Sequence, residues 1–159
     1  MAEFTGEFSD TFTVRVPLDV ARRHFADPAQ HATWYGDLER YELLGDGAVR
    51  YQLPEYNYGV TTFQGRYTCR YTELDDHRVQ WRTIGEDHNI RLRGDAVFSE
   101  QPDGSTSMRY DATLVLEFPV GRLLRRVVQP LVAQSVRREM RAFVERMITA
   151  VEGRHSADA

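Results

Sequence analysis

The order of two apolar periodicities along the chain constrains its fold more than any other feature. Apolar and polar residues alternate from Phe8 to Val16 and again from about Leu38 to Phe118, as in half-buried strands. From Leu131 to Val151 apolar residues recur instead at the spacing of one long amphipathic helix. A strand series that ends in a single long helix buries both apolar faces when the sheet curves around that helix. The sequence therefore predicts an α+β fold with about six to seven antiparallel strands, and a gap between sheet and helix that suits an apolar ligand.

Two short helices are expected between the first strand and the rest of the sheet. Pro17 ends the strand and suits a helix start, which predicts a first helix over Leu18 to Ala26. Asp27 is a typical N-cap residue for a second helix over Ala29 to Thr33. The predicted order is therefore one strand, the paired helices, the strand series and the long helix.

Proline and glycine set the expected limits of the later elements. The run Pro54 to Gly59 predicts an aromatic loop that interrupts the sheet. Pro130 lacks a backbone N–H and is tolerated best at a helix start, so the long helix is placed after it. Gly153 is a typical C-terminal stop, which leaves residues 153–159 as a frayed tail.

Length and composition favour one soluble domain. A chain of 159 residues with 42% apolar residues is normally a single domain, here over residues 1–159 with a core over 4–152. No apolar run approaches the roughly 18 residues that span a bilayer, and the acidic N-terminus lacks a signal-peptide pattern. We therefore expect a cytoplasmic protein that is not an integral membrane protein. The formal charge of −4 argues against a nucleic-acid partner.

Several chemistries lack the side chains that they need. Cys69 is the only cysteine, so an intrachain disulfide and a cysteine-based zinc site are excluded. All 20 basic residues are arginine, which excludes Schiff-base chemistry and the lysine of a phosphate-binding loop. The histidines and carboxylates show no metal-binding spacing. The sequence therefore predicts neither a metal site nor a cofactor.

Four segments carry a resemblance to a known family. They are VPLDVARRHFADPAQHATWYGDL, GRYTCRYTEL followed by VQWRT, GDAVFSEQPDGSTSMRYDATL, and the proline-led last helix. With the element order, they make residues 4–152 resemble the START/SRPBCC superfamily, which has the helix-grip fold of the birch pollen allergen. Within it the chain looks like the polyketide cyclase/dehydrase and lipid-transport group. The resemblance implies a lipid, quinone or polyketide-like molecule held between the curved sheet and the last helix, and catalysis only in a minority of members.

The predicted cavity wall consists of side chains on the inner faces of the strands and the long helix, with one tryptophan in the loop after the paired helices. These residues are Phe12, Trp34, Tyr51, Phe63, Tyr67, Trp81, Leu92, Phe98, Tyr110, Leu114, Met140, Phe143 and Met147. An enzyme would also need an acid or base that points into the cavity. His24 is the first candidate because it follows an apolar helix position, and its alternative is a structural histidine. His31, His77 and His88 are assigned to polar loops.

Three functions stay open on the sequence. The first is a non-catalytic binder or carrier of a hydrophobic small molecule, the second a polyketide cyclase, aromatase or dehydratase. The third is a protein-interaction module, and a homodimer is also open. Seven arginines lie between Arg122 and Arg146, against Glu139 and Glu145. They indicate either a solvated helix face or contact with an acidic partner or a membrane surface.

Overall fold

The computed structural model of the chain describes residues 1–34 and 38–158, without the side chains of residues 32–34. This part of the chain contains a seven-stranded antiparallel sheet and three helices. In chain order the elements are β1 (Ala2–Val14), α1 (Leu18–Ala26), α2 (Pro28–Trp34), β2 (Arg40–Gly45), β3 (Ala48–Asn57), β4 (Thr62–Asp75), β5 (Arg78–Ile84), β6 (Ile90–Glu100), β7 (Thr106–Phe118) and α3 (Arg122–Asp158). The strands pair in the order β1-β7-β6-β5-β4-β3-β2.

The curved sheet wraps around α3, which confirms the α+β helix-grip fold and the two short helices after the first strand. Buried and exposed side chains alternate along β4, β6 and much of β7, because successive residues of a strand point to opposite faces. The buried residues of α3 recur at helical spacing from Val128 to Val151 and join the same core cluster as the strands. Ala21 and Phe25 bury the inner face of α1.

The first strand begins at Ala2, six residues earlier than the alternation from Phe8 predicts. Phe4 is fully buried and pairs with Leu116 of β7. The alternation of apolar residues is broken at Gly6, which has no side chain to mark the inner face. The alternating stretch therefore looks shorter in the sequence than the strand is in the sheet.

The predicted loop from Pro54 to Gly59 is wrong in its first part, because β3 continues to Asn57. The pairing of β3 with β4 shifts between Gln52 and Glu55. Such a bulge accommodates a proline, which cannot donate a hydrogen bond to the neighbouring strand. The sheet thus bends at Pro54 instead of stopping there.

The last helix is longer at both ends than predicted. It begins at Arg122, includes Pro130 and continues through Gly153 to Asp158. An internal proline costs about 3 kcal/mol. Val128 and Val132 on either side of it are fully buried, and burial of such a side chain contributes about 1.5–3 kcal/mol. Packing against the sheet therefore offsets the hydrogen bond that Pro130 removes.

Helix α3 lies against β1, where a glycine allows the close approach. A Cβ atom added to Gly6 would lie 2.5 Å from Cγ2 of Val136. Further along the helix, Nη2 of Arg141 pairs with Oδ2 of Asp10 at 2.7 Å, and the Arg141 guanidinium lies 5.4 Å from the centre of the Phe8 ring. These contacts fix the position of the helix above the sheet and so define the space between them.

Candidate functional site

A pocket of about 200 Å³ opens between the sheet and the middle of α3. Its walls come from β3, β4, β6, β7 and α3. The hydrophobic wall, with one tyrosine, comprises Leu53, Pro54, Phe63, Tyr67, Ile90, Leu114, Leu116, Val136, Met140 and Phe143. The polar lining comprises Tyr56, Tyr58, Ser135, Glu139 and Arg146. The Tyr58 hydroxyl donates to Oγ of Ser135 at 3.4 Å, which joins the end of the β3 region to α3.

The pocket is smaller than the roughly 300–1,000 Å³ of most small-molecule sites. Large aromatic side chains fill the neighbouring interior. The rings of Trp81 and Tyr110 lie 4.9 Å apart between centroids, and those of Tyr51 and Tyr67 lie 5.0 Å apart. The Tyr51 and Tyr71 hydroxyls form a hydrogen bond of 2.8 Å with each other in the same buried region. The pocket therefore lies at the end of the interior that is bordered by β3 and the middle of α3.

The structure divides the predicted cavity residues into two groups. Phe63, Tyr67, Leu114, Met140 and Phe143 line the pocket. The residues buried in the core away from it are Tyr51, Trp81, Leu92, Phe98, Tyr110 and Met147, while Phe12 is partly buried at its edge. The side chain of Trp34 lies outside the described residues. Contact between any of these residues and a ligand stays a prediction.

His24 lies between α1 and α3 and does not line the pocket. Its Nε2 donates to the carbonyl oxygen of Met147 at 3.2 Å, and the side chain is buried. Burial lowers the His24 pKa to about 4, although the bond to Met147 acts in the opposite direction. This geometry is that of a histidine that joins two helices, and a catalytic role for His24 stays a prediction.

His31 lies in α2 and not in a polar loop, and its side chain is only 1% exposed. Its Nε2 lies 2.5 Å from the carbonyl oxygen of Phe25. Its ring centroid is 4.0 Å from that of Tyr71 and 5.7 Å from that of Phe143, so His31 lies one side chain behind the pocket wall. Burial lowers the His31 pKa to about 3, against the bond to Phe25. The second predicted helix already included His31, but a helical position alone does not distinguish a buried side chain from an exposed one.

Several lining residues were missed by the sequence analysis. Ile90 and Leu116 are in phase with the predicted residues Leu92 and Leu114 on the same strands, so the alternation could have found them. The sequence gives a weaker indication that polar residues of α3 line the pocket. Glu139 and Arg146 lie four and three residues from Phe143, which places them beside it on the helix surface.

Outside the pocket, the described residues were compared with what a metal site, a reactive thiol or a membrane span requires. Within residues 1–34 and 38–158, no three His, Cys, Asp or Glu side chains are grouped so that they could hold a metal ion. Burial raises the pKa of the Cys69 thiol to about 12, which makes it a poor nucleophile. None of the helices in this part of the chain is long and apolar enough to cross a membrane.

Solved structures with the same fold span almost the whole chain. The Zhui aromatase/cyclase from Streptomyces sp. R1128 has a TM-score of 0.69 at 18% identity, over 94% of this chain and 95% of that one. Norcoclaurine synthase from Thalictrum flavum has a TM-score of 0.65 at 13% identity, over 98% and 99%. A START superfamily protein from Mycobacterium smegmatis has a TM-score of 0.61 at 14% identity, over 96% and 99%. Identities this low show a shared fold alone.

A comparison of the sequence with models of protein families identifies the family of this chain. No protein with a curated description matches the chain significantly. The model of the family described as polyketide cyclase/dehydrase and lipid transport matches residues 5–152, which include most of β1, all of β2 to β7 and the pocket-lining part of α3. The chain therefore belongs to the polyketide cyclase/dehydrase and lipid transport family.

Proposed function

We propose that the protein binds one small hydrophobic molecule in the pocket between the sheet and α3, as a binder or carrier without catalysis. The observation that carries this proposal is the pocket itself, with its hydrophobic wall and few polar side chains. Such a composition is usual for small-molecule sites, in which the apolar wall provides affinity and the polar groups fix orientation. Membership of a family that includes lipid transport supports the proposal.

The size of the pocket limits the ligand. An apolar cavity of ~150 Å³ takes up benzene. A pocket of about 200 Å³ therefore suits a ligand whose apolar part is one or two rings or a short acyl chain. A larger molecule would have to extend through the mouth of the pocket or displace side chains such as Phe143.

The polar lining suggests how such a ligand is oriented. Ser135 and Glu139 are four residues apart on α3, and Arg146 follows two turns later, so the three form a polar edge along one side of the pocket. A hydroxyl or carboxyl group of the ligand would lie at this edge, with the apolar part against Ile90 and Leu114. We therefore expect amphiphilic ligands with one polar end to bind more tightly than plain hydrocarbons.

Two measurements test the proposal. Native mass spectrometry of the protein purified from its source should detect one co-purified small molecule per chain. Isothermal titration with naphthol and with decanoic acid should then show one-to-one binding. In Leu114→Trp the added ring fills the pocket, and we expect at least about a tenfold loss of affinity, which is about 1.4 kcal/mol.

The matched control is Leu74→Trp, which adds the same ring at an exposed position in β4 away from the pocket. It should bind like the wild type. Equal affinity of the wild type and Leu114→Trp, with both proteins folded, would contradict the assigned site. The absence of any bound or titratable ligand would contradict the function.

Cyclisation or dehydration of a polyketide-like substrate is a second candidate, which the lining of the pocket by Glu139 favours. A carboxyl group beside a bound poly-β-ketone could take up or supply a proton. Incubation with a poly-β-keto thioester should then give a cyclised product with the wild type and with Glu145→Gln, whose side chain is exposed outside the pocket. Glu139→Gln should lose it. If none of the proteins forms product, the binder is favoured.

A further inference from the structure

The first three turns of α3 carry an exposed apolar surface. Residues 121–127 are all exposed, and 94% of the Leu123 surface is free. Val127 and Leu131 follow at intervals of four residues, with 53% and 41% of their surfaces free. At this spacing the three side chains lie along one side of the helix over about 12 Å. We call Leu123, Val127 and Leu131 the apolar stripe.

Arginines of the same helix lie near the apolar stripe, with Arg126 beside Leu123 at the i, i+3 spacing and Arg122 one turn before Arg126. Arg122, Arg125 and Arg126 are exposed on the same turns, and Arg137 and Arg138 are exposed further along α3. From Arg122 to Arg138 the chain has no aspartate or glutamate, although its formal net charge is −4. The first three arginines make no ion pair with the described residues. The stripe is therefore an apolar surface in a locally cationic environment.

This charge pattern argues against a second copy of the chain as the occupant. Two stripes packed together would bring the arginines of both copies close to each other, and residues 122–138 offer no carboxylate to neutralise them. A helix with an apolar side and flanking arginines is typical of segments that lie in the interface of an anionic membrane. There the acyl chains cover the apolar side chains and the lipid phosphates pair with the arginines.

We propose that the apolar stripe docks onto an anionic lipid bilayer, with the flanking arginines on the lipid phosphates. The stripe ends beside the pocket. Leu131 lines a shallow recess of about 240 Å³, and this recess shares Tyr58 and Ser135 with the pocket. Docking would thus bring the pocket mouth towards the lipid surface. The proposal goes beyond the binding of a small molecule and does not depend on it.

Vesicle flotation tests the docking surface directly. The full chain is mixed with vesicles of phosphatidylcholine alone or of phosphatidylcholine with phosphatidylglycerol. We expect flotation with the anionic vesicles, little with the neutral ones, and release as the salt concentration rises, because salt screens exposed charges. Each arginine near an anionic surface should change the partition coefficient about fivefold.

Matched variants separate the stripe from the rest of the surface. Leu123→Ser and the pair Arg122→Gln/Arg126→Gln should each lose most of the binding. The controls are Leu74→Ser in β4 and Arg15→Gln/Arg93→Gln, which change exposed arginines just after β1 and in β6, and both should float like the wild type. Thermal unfolding should be the same in all of them, since every changed side chain is exposed.

Three results would overturn the proposal. The first is no binding to anionic vesicles at low salt. The second is binding that Leu123→Ser and Arg122→Gln/Arg126→Gln leave unchanged. The third is a dimer in solution that Leu123→Ser dissociates, together with an absence of flotation, because the stripe would then join two copies of the chain.

Discussion

At the scale of single residues, burial determines the chemistry of the two histidines in the interior. His24 and His31 each place Nε2 against a backbone carbonyl oxygen. A ring nitrogen in that position carries the proton, so each imidazole is held in one tautomer. Burial lowers the pKa of His24 to about 4 and that of His31 to about 3. Both are therefore neutral at neutral pH, and the fold accommodates them in that form.

We expect the free energy of unfolding to decrease as the pH falls from 6.5 to about 4. In this range the unfolded chain binds protons at both histidines and the folded chain does not, because the folded pKa values are the lower ones. Each histidine contributes a slope approaching about 1.4 kcal/mol per pH unit. Urea unfolding of the wild type and of His31→Asn over this range measures the effect.

The free energy of unfolding should depend less steeply on pH in His31→Asn than in the wild type. Comparison of the two proteins at each pH cancels the carboxyl groups that also titrate there. An equal slope in His31→Asn and the wild type would mean that His31 takes up its proton in the folded state, and the buried neutral imidazole would then be wrong.

Gly6 determines how closely α3 approaches the sheet. Gly6→Ala should destabilise the protein by about 1–3 kcal/mol, because its Cβ would collide with the side chain of Val136. Urea unfolding measures this loss. In the double variant Gly6→Ala/Val136→Ala the collision is removed, so the loss should be smaller than the sum of the two single losses. Strictly additive losses would show that the two residues do not touch.

At the scale of elements, α3 shows where local signals give way to packing. Pro130 and Gly153 predicted its limits, because both residues usually mark helix ends. The helix runs through both. Pro130 is flanked by the buried Val128 and Val132, and this burial was not visible until the sheet was in place. The predicted end of β3 at Pro54 was wrong for a similar reason, because a bulge keeps this proline within the paired strand.

Gly153→Ala tests whether α3 continues beyond the predicted stop. Inside a helix, with open space around an added Cβ, the alanine should stabilise the protein by about 0.5–1 kcal/mol. Gly104→Ala is the matched control, because its surroundings are equally open but its φ is +86°, which disfavours alanine. Chemical unfolding of both variants should give opposite signs. A destabilised Gly153→Ala would indicate that the helix ends at Gly153 after all.

At the scale of the whole molecule, the fold was predictable and the boundary of the pocket was not. Alternation along the strands and the helical period of the last segment specify which faces point inward, and they predicted the sheet around the helix. They do not specify how far along the interior a residue lies. Tyr67 and Tyr110 were both assigned to inner faces, yet Tyr67 lines the pocket whereas Tyr110 packs on Trp81. That difference depends on the curvature of the sheet and on the bulk of neighbouring aromatic rings.

Methyl NMR is the most direct test of the central claim, that a hydrophobic ligand enters the pocket between the sheet and α3. Met140 and Ile90 line the pocket, whereas Met108 and Met147 are fully buried away from it. Titration of methyl-labelled protein with naphthol or decanoic acid should shift the Met140 and Ile90 signals and leave those of Met108 and Met147 nearly unchanged. Saturating ligand without a shift at Met140, or with the largest shifts at Met108 and Met147, would contradict the claim.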